Sequence, residues 1–485
     1  MQFGTLVRTA LLSLGSVALA SAASGNSTST SSNSSTPAIG IKGNAFYDSA
    51  TNERFYIRGV DYQPGGSSNL TDPLADADVC SRDVPVFKDL GINTIRVYTV
   101  DNSLDHSECM QMLSDAGIYL ILDVNTPTSA ISRLNVACSY NADYLQNVFA
   151  TIDTFAQYDN VLGFFAGNEV INSENTTATA TYVKAVVRDM KKYIKAREYR
   201  TIPVGYSAAD IVSNRELTAQ YFNCGDDADA RIDMFGVNDY SWCGPSSFAV
   251  SGYATKMQLY KNYSIPIFLS EFGCNKVVSN RPFTEIEAIY STQMSSVFSG
   301  GLVYEYSNET NNYGLVKIDD TSSVTKLTDY SNLKSEYAKV ENPAGDGGAY
   351  AGNDYATCPD YEKGTWEANN TLPEMPSAAS AYFKSGAGEP MGTYISTQNS
   401  CHDDDDEDIA SLSSSSESSS SASTSSVSSV NSTSTEATSS STSSSSSASS
   451  TTSTKSKSSK SKGVAAGLEV PAFFQMVAQV AGYLL

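Results

Sequence analysis

The sequence predicts an α/β protein: a (β/α)8 TIM barrel with a short C-terminal extension and a disordered Ser/Thr-rich stalk. Two observations point to the barrel. Eight short apolar runs alternate with helix-length segments between Phe55 and Tyr306, and polar residues recur where those runs end. A third sets its limits, because composition changes sharply on both sides of that region.

Taken in order, Met1 to about Ala22 carries Arg8, an apolar run Ala10–Ala20, and small residues Ala20 and Ala22 placed like a signal-peptidase site. Residues 1–22 therefore read as a secretory signal. Residues 23–38 are mostly Ser, Thr and Asn and read as a disordered leader. The (β/α)8 domain is expected over residues 39–340. Its strands are expected at Phe55–Tyr62, Thr94–Tyr98, Tyr119–Val124, Val161–Phe165, Ile202–Tyr206, Met234–Asn238, Ile265–Ser270 and Gly301–Tyr306. The first ends in the turn Gln63-Pro64-Gly65-Gly66. Helices are expected at Val84–Leu90, Cys109–Ala116, Tyr144–Phe155, Tyr182–Ala196, Gly252–Tyr260 and Thr284–Phe298.

Residues 341–402, rich in Gly, Pro and Asn, read as an extension packed on the barrel and tied by Cys358. In residues 403–463 the acidic run Asp403–Asp408, next to His402, reads as a solvated charge run rather than a cation site, and a Ser/Thr-rich, O-glycosylated stalk follows. Residues 464–485 are mostly apolar and follow a short polar spacer, which reads as a GPI-attachment signal that is removed. A tail-anchored helix is the alternative, and Glu469, Pro471 and Gln475 inside the segment argue against it. The chain is thus expected to be secreted and GPI-anchored at the outer face of the plasma membrane.

The formal net charge of −22 argues against nucleic acid and anionic membrane surfaces as partners, whereas a neutral polymer is indifferent to it. On a secretory route the 8 cysteines are a disulfide question. They are scattered with no close CxxC pair, so no metal is expected, and no cofactor motif appears. Sequons at Asn69, Asn175, Asn262, Asn308, Asn369 and Asn431, with Asn26 and Asn33 near the mature start, fit N-glycosylation. Only His106 and His402 are present and there is no GxSxG elbow, which disfavours a Ser-His-Asp hydrolase.

Val161–Val170 (VLGFFAGNEV) runs from strand character into Asn168 and Glu169, and Leu269–Asn275 (LSEFGCN) supplies a second carboxylate at Glu271. They fall on the fourth and seventh strands of this count. Two carboxylates facing each other across a barrel mouth are the equipment for cleaving a glycosidic bond. Glu169, at the end of an apolar strand expected to raise its pKa, is assigned as acid/base, with Asn168 placed to bond a sugar 2-hydroxyl. Glu271 is assigned as nucleophile, with Tyr240 or Tyr304 placed to donate to it. Gln63, Tyr98, Asp123, Asp239 and Tyr240 also sit at strand ends. The 29 Tyr against 2 Trp suit a cleft that stacks rings on pyranoses.

Several long motifs recur in order: GVDYQPGG at Gly59–Gly66, TIRVYTVD at Thr94–Asp101, LDHSECM at Leu104–Met110, NVLGFFAGNEV at Asn160–Val170, IPVGYSAAD at Ile202–Asp210, YSWCG at Tyr240–Gly244, SEFGCN at Ser270–Asn275 and SGGLVYEY at Ser299–Tyr306. Over about Ile39–Val340 the chain resembles the fungal GPI-anchored β-1,3-glucanosyltransferases, glycoside hydrolase family 72. The resemblance implies a retaining enzyme that cuts an internal β-1,3-glucan linkage and transfers the glycosyl-enzyme to the non-reducing end of another chain. Glu169 resembles the family's acid/base and Glu271 its nucleophile. Gln63, Tyr98, Asp123, Asn168, Tyr240, Tyr304 and Tyr313 resemble its glucan-contacting or supporting residues. It also implies the disulfides Cys80–Cys109, Cys224–Cys358 and Cys243–Cys274, and leaves Cys138 and Cys401 without assignment.

The chain departs from the family pattern in three places. Two cysteines beyond Val340 are too few for the cysteine-rich carbohydrate-binding module of some members, so it resembles the shorter subgroup. Around Arg133 it reads SRLNVACSY where the family often has a Trp-containing segment. After the last strand it reads YEYSNE where many members have YMYFEE. The expected partners are donor and acceptor β-1,3-glucan chains and the plasma membrane through the GPI lipid, and the expected state is a monomer. An endo-β-1,3-glucanase and a non-catalytic glucan-binding wall glycoprotein are the competing expectations.

Overall fold

The structure is a computed structural model that describes residues 36–278 and 280–398. The expected signal peptide, most of the leader, the stalk, the anchor signal, Cys401 and His402 lie outside the described residues. Strands β1 (Ile39–Lys42), β2 (Ala45–Asp48) and β3 (Arg54–Phe55) form a small antiparallel sheet. Then come β4 (Ile57–Asp61), β5 (Thr94–Val97), β6 (Tyr119–Asp123), β7 (Val161–Asn168), β8 (Val204–Ala209), β9 (Met234–Cys243), β10 (Ile267–Cys274) and β11 (Phe298–Val303). These close into a barrel in chain order. The closing pair is parallel, with Gly300 opposite Ile57 and Val303 opposite Val60.

The period of two along each strand sorts the side chains. Val60, Ile95, Val97, Leu120 and Leu122 face the surrounding helices, while Ile57, Tyr119, Ile121, Leu162, Met234, Phe268 and Leu302 fill the interior. Ile39 and Phe46 of the small sheet join the inner cluster, and Phe46 meets Phe268 edge-on at 5.9 Å. That sheet therefore floors the barrel at the N-terminal ends of its strands. Nearer the other end the buried residues turn polar: Asp61, Arg96, Asp123, Asn238, Ser270 and Glu271.

Sequence and structure part at three places. The helix expected from Val84 begins at Ala77, where Asp76 accepts from the backbone N–H groups of Asp78 and Val79, and it runs through Pro85 to Leu90. The helix expected over Thr284–Phe298 is only Glu285–Ile289, because Phe298 is already paired with Ile267 in the closing strand. A side chain at Gly300, whose φ is +95°, would put its Cβ 2.1 Å from the carbonyl oxygen of Ile57. The floor sheet, the helices Arg215–Phe222 and Thr328–Lys339, and the hairpin of β12 (Val316–Ile318) and β13 (Val324–Lys326) have no counterpart in the sequence reading.

Cys80–Cys109 joins the first two helices of the barrel, and Cys243–Cys274 joins the ends of β9 and β10. Cys224–Cys358 ties the barrel to the chain beyond Val340. That later chain runs back across the outer helices. Trp366 is buried against Tyr221, and Arg188 Nη1 donates to the Pro373 carbonyl at 2.8 Å.

Candidate active site

Both glutamates follow an irregularity that re-aims the strand. On β10, Leu269 lies opposite Val237 and Glu271 opposite Asn238, so two residues of β10 face one of β9. Such a bulge breaks the alternation and lets Ser270 and Glu271 both point inward. On β7 the pairing shifts between Phe165, opposite Gly205, and Asn168, opposite Ser207. Glu169 follows with φ +48°, a left-handed conformation that non-glycine residues rarely adopt. Its N–H donates to the Ser207 carbonyl at 2.8 Å, which holds it there.

Glu271 is 7% exposed and receives three donors. Tyr240 Oη donates to its Oε2 at 2.7 Å; Tyr98 Oη and Arg96 Nη1 donate to Oε1 at 2.9 and 3.2 Å. Burial pushes its carboxyl up to about 7, aided by the charge of Glu169 and opposed by Arg96 and the two phenols. Burial also holds the Tyr98 and Tyr240 phenols well above their ordinary value, so they remain donors. Tyr304, offered by the sequence as a donor, instead packs edge-on against Tyr240 and Tyr313 at 6.3 and 5.3 Å. The three rings form one aromatic cluster beside Glu271.

Glu169 is half-buried. The more enclosed position belongs to Glu271, in polar surroundings, because β7 carries Glu169 one residue past its end. Asn238 Nδ2 donates to Glu169 Oε1 at 2.9 Å and to Asn168 Oδ1 at 3.1 Å. Its own oxygen accepts from the Ser207 and Ser270 hydroxyls at 3.1 and 2.8 Å, which fixes its orientation. Asn168 Oδ1 also accepts from Arg96 Nη2 at 3.0 Å, leaving its Nδ2 without a protein partner among the described residues.

Arg96 connects these groups. It is fully buried, grips Asp123 through two hydrogen bonds of 3.0 and 2.9 Å, and reaches Glu271 and Asn168 with the rest of its fork. Asp123 thus holds the arginine. Gln63 accepts from the backbone N–H groups of Tyr98 and Thr99 at 3.2 and 3.0 Å and donates to the Thr71 carbonyl at 2.6 Å, so it holds Tyr98 in place.

Residues 28–341 match the Glucanosyltransferase family, Glyco_hydro_72. The chain belongs to this family. It is 80% identical over 386 residues to the 1,3-beta-glucanosyltransferase GAS5 of Saccharomyces cerevisiae, covering 80% of this chain and 78% of the relative. It is 59% identical over 358 residues to the 1,3-beta-glucanosyltransferase PGA4 of Candida albicans, covering 74% and 78%. Among solved structures, a glutamate-to-glutamine variant of Saccharomyces cerevisiae Gas2p in complex with laminaritetraose and laminaripentaose matches at 43% identity with a TM-score of 0.66, covering 71% of this chain and 76% of that chain.

In this glucanosyltransferase-family barrel, sequence reasoning missed Arg96 and Asn238, although each carried a signal: a charged or amide residue at an inward position of an otherwise apolar strand. It also missed two buried acids near Glu271. Asp61 is fully buried with no partner for either oxygen among the described residues, and burial holds it well above the usual carboxylate range. Burial pushes Glu305 up to about 8, although Asn311 Nδ2 donates to its Oε1 at 2.8 Å.

Proposed function

We propose that the chain is a retaining β-1,3-glucanosyltransferase that elongates and remodels wall glucan, with Glu271 as nucleophile and Glu169 as acid/base. The observation that carries this is the unequal provision for the two carboxyls. Three donors converge on Glu271 and favour its charged form, whereas a single amide meets Glu169. A retaining reaction calls for a carboxylate nucleophile and a separate proton donor, and the three donors on Glu271 suit it to the first role.

In the first step Glu271 attacks the anomeric carbon, the glycosidic C–O bond breaks, and Glu169 gives its proton to the departing oxygen. One glucan chain remains as an ester on Glu271. In the second step Glu169, now a carboxylate, takes the proton from the hydroxyl at the non-reducing end of an acceptor chain. The hydroxyl oxygen attacks the anomeric carbon and Glu271 leaves with its electron pair. Asn168 Nδ2 is free to bond the 2-hydroxyl, and the Tyr240, Tyr304 and Tyr313 rings supply stacking faces. Gln63 and Asp123 serve as supports through Tyr98 and Arg96.

A setting outside the cell agrees with three disulfides among the described residues and with sequon asparagines exposed at Asn175, Asn262, Asn308 and Asn369. We assign the chain to the subgroup without the cysteine-rich module, acting as a GPI-anchored monomer. Release from membranes by a phosphatidylinositol-specific phospholipase tests the anchor. Incubation with a reduced β-1,3-gluco-oligosaccharide tests the reaction: products longer than the substrate are expected, and only shorter products would make the chain an endo-β-1,3-glucanase. Glu169→Gln and Glu271→Gln should each abolish both outcomes without changing the unfolding temperature by more than a few degrees.

A further inference from the structure

The loop after β6 reaches Glu169 from outside the barrel. Arg133 is half-buried, and its Nε donates to the Val170 carbonyl at 3.2 Å while Nη2 approaches the Glu169 carbonyl at 3.5 Å. Glu169 is therefore held on three sides in its left-handed conformation: its N–H by Ser207, its carboxylate by Asn238, and its carbonyl side by Arg133. A residue in that region of backbone space persists only where its surroundings hold it.

The loop that carries Arg133 is in turn built around the last described segment of the chain. Thr128 Oγ1 donates to the Ile395 carbonyl at 2.8 Å, and the Thr397 N–H donates to the Thr128 carbonyl at 3.1 Å. The Ser129 and Thr397 hydroxyls pair at 3.0 Å with both residues fully buried. Asn141 Nδ2 donates to the Thr397 carbonyl at 2.8 Å, and Gln398 Nε2 donates to the Pro127 carbonyl at 3.0 Å. Five hydrogen bonds within a few residues make this strap part of the loop. The strap thus grips Pro127–Ser129 and Asn141, the two flanks of the SRLNVACSY stretch that carries Arg133.

We propose that Arg133 is a positioning residue for the acid/base Glu169, and that the strap at residues 393–398 holds Arg133 to that task. The inference rests on the reading of Glu169 as the acid, so its test must separate the two. A general acid matters when the departing oxygen needs a proton, and little when the leaving group is a stable phenolate. The full glycoprotein and its variants are therefore assayed on a plain β-1,3-gluco-oligosaccharide and on a dinitrophenyl β-1,3-gluco-oligosaccharide, with the first-turnover burst of dinitrophenolate as the second readout.

Arg133→Ala should lower kcat on the plain donor by about 10-fold or more, leave KM within about twofold, and keep the dinitrophenolate burst within about threefold of wild type. Arg133→Lys, which keeps one donor, should fall between. Thr397→Val breaks the buried hydroxyl pair with Ser129 without touching Arg133 or Glu169 and should reproduce the pattern in weaker form, which keeps the test valid if Arg133→Ala does not fold. Equal losses on both donors, or no loss on the plain one, would overturn the positioning role. Glu169→Ala run alongside separates the readings. If it loses the burst too, Glu169 is not the acid. If it keeps the burst and Arg133→Ala does not, only the inference about Arg133 fails.

Discussion

Replacing Tyr240 by Phe removes one oxygen and keeps the ring that packs against Tyr304 and Tyr313. The lost group is the donor at 2.7 Å to Glu271 Oε2, an oxygen with no second donor among the described residues. A hydrogen bond to a charged group contributes about 1.5–3 kcal/mol, and a pH unit corresponds to about 1.4 kcal/mol, so the carboxyl should rise by about one to two pH units from its value of about 7. The sign follows from which form the phenol favours. It bonds the carboxylate, so its loss makes protonation easier and moves the acidic limb of kcat/KM toward higher pH. On that limb the variant should be about 10- to 100-fold slower than wild type at equal pH, and above the shifted limb it should recover. Initial rates on a β-1,3-gluco-oligosaccharide, read by chromatography across the pH range, measure this. Tyr98→Phe is the internal comparison: Arg96 remains on the same Oε1, so the limb should move less. An acidic limb that stays in place or moves down in Tyr240→Phe would refute the assignment of that phenol as a donor to the nucleophile.

Three further outcomes follow from the same contacts. Glu305 is held up at about 8 against an ordinary 4.5, so its contribution to stability is complete below about pH 4.5 and is lost as pH rises toward 8; Glu305→Gln should match wild type in denaturant unfolding at pH 4 and be more stable at pH 8.5 by a few kcal/mol, at about 1.4 kcal/mol per pH unit. Lys256 is buried between Asp210, at 2.8 Å, and Asp239, the residue before Tyr240, so Lys256→Met should cost about 3–5 kcal/mol in unfolding free energy by leaving two carboxylates without their cation. Arg96→Lys keeps the charge and loses the fork that joins Asp123, Glu271 and Asn168, so kcat should fall by about 100-fold or more while near-ultraviolet circular dichroism stays native.

The barrel is legible in the sequence because parallel strands covered on both faces read as near-continuous apolar runs, and their ends are marked by abrupt polarity. Glu169 and Glu271 stand out for that reason. Arg96 and Asn238 sit within or at the end of TIRVY and MFGVN, and what makes them functional is contact across the barrel with residues far away in the chain. Local pattern carries no record of such contact. The floor strands are four residues or fewer, and Arg54–Phe55 merges in sequence with the first barrel strand. Thr284–Phe298 keeps a helical rhythm, yet closure of the barrel takes Phe298 into β11. Charge environment is the least legible property. The sequence places the more enclosed carboxyl at Glu169, and the geometry puts it at Glu271, because enclosure depends on where each strand stops relative to its neighbours.

The two bulges also set where this chain can change length. Connections between strands can gain or lose residues at the cost of a longer or shorter loop, as is usual for surface segments. Within Phe165–Asn168 or Leu269–Glu271 the tolerance is nil in one sense: removing a single residue restores the regular pleat and turns the following side chain to the opposite face. Glu271 would then point into the helical layer and away from Tyr98, Tyr240 and Arg96. Insertions and deletions among relatives should therefore collect in the loops and stop short of these two windows.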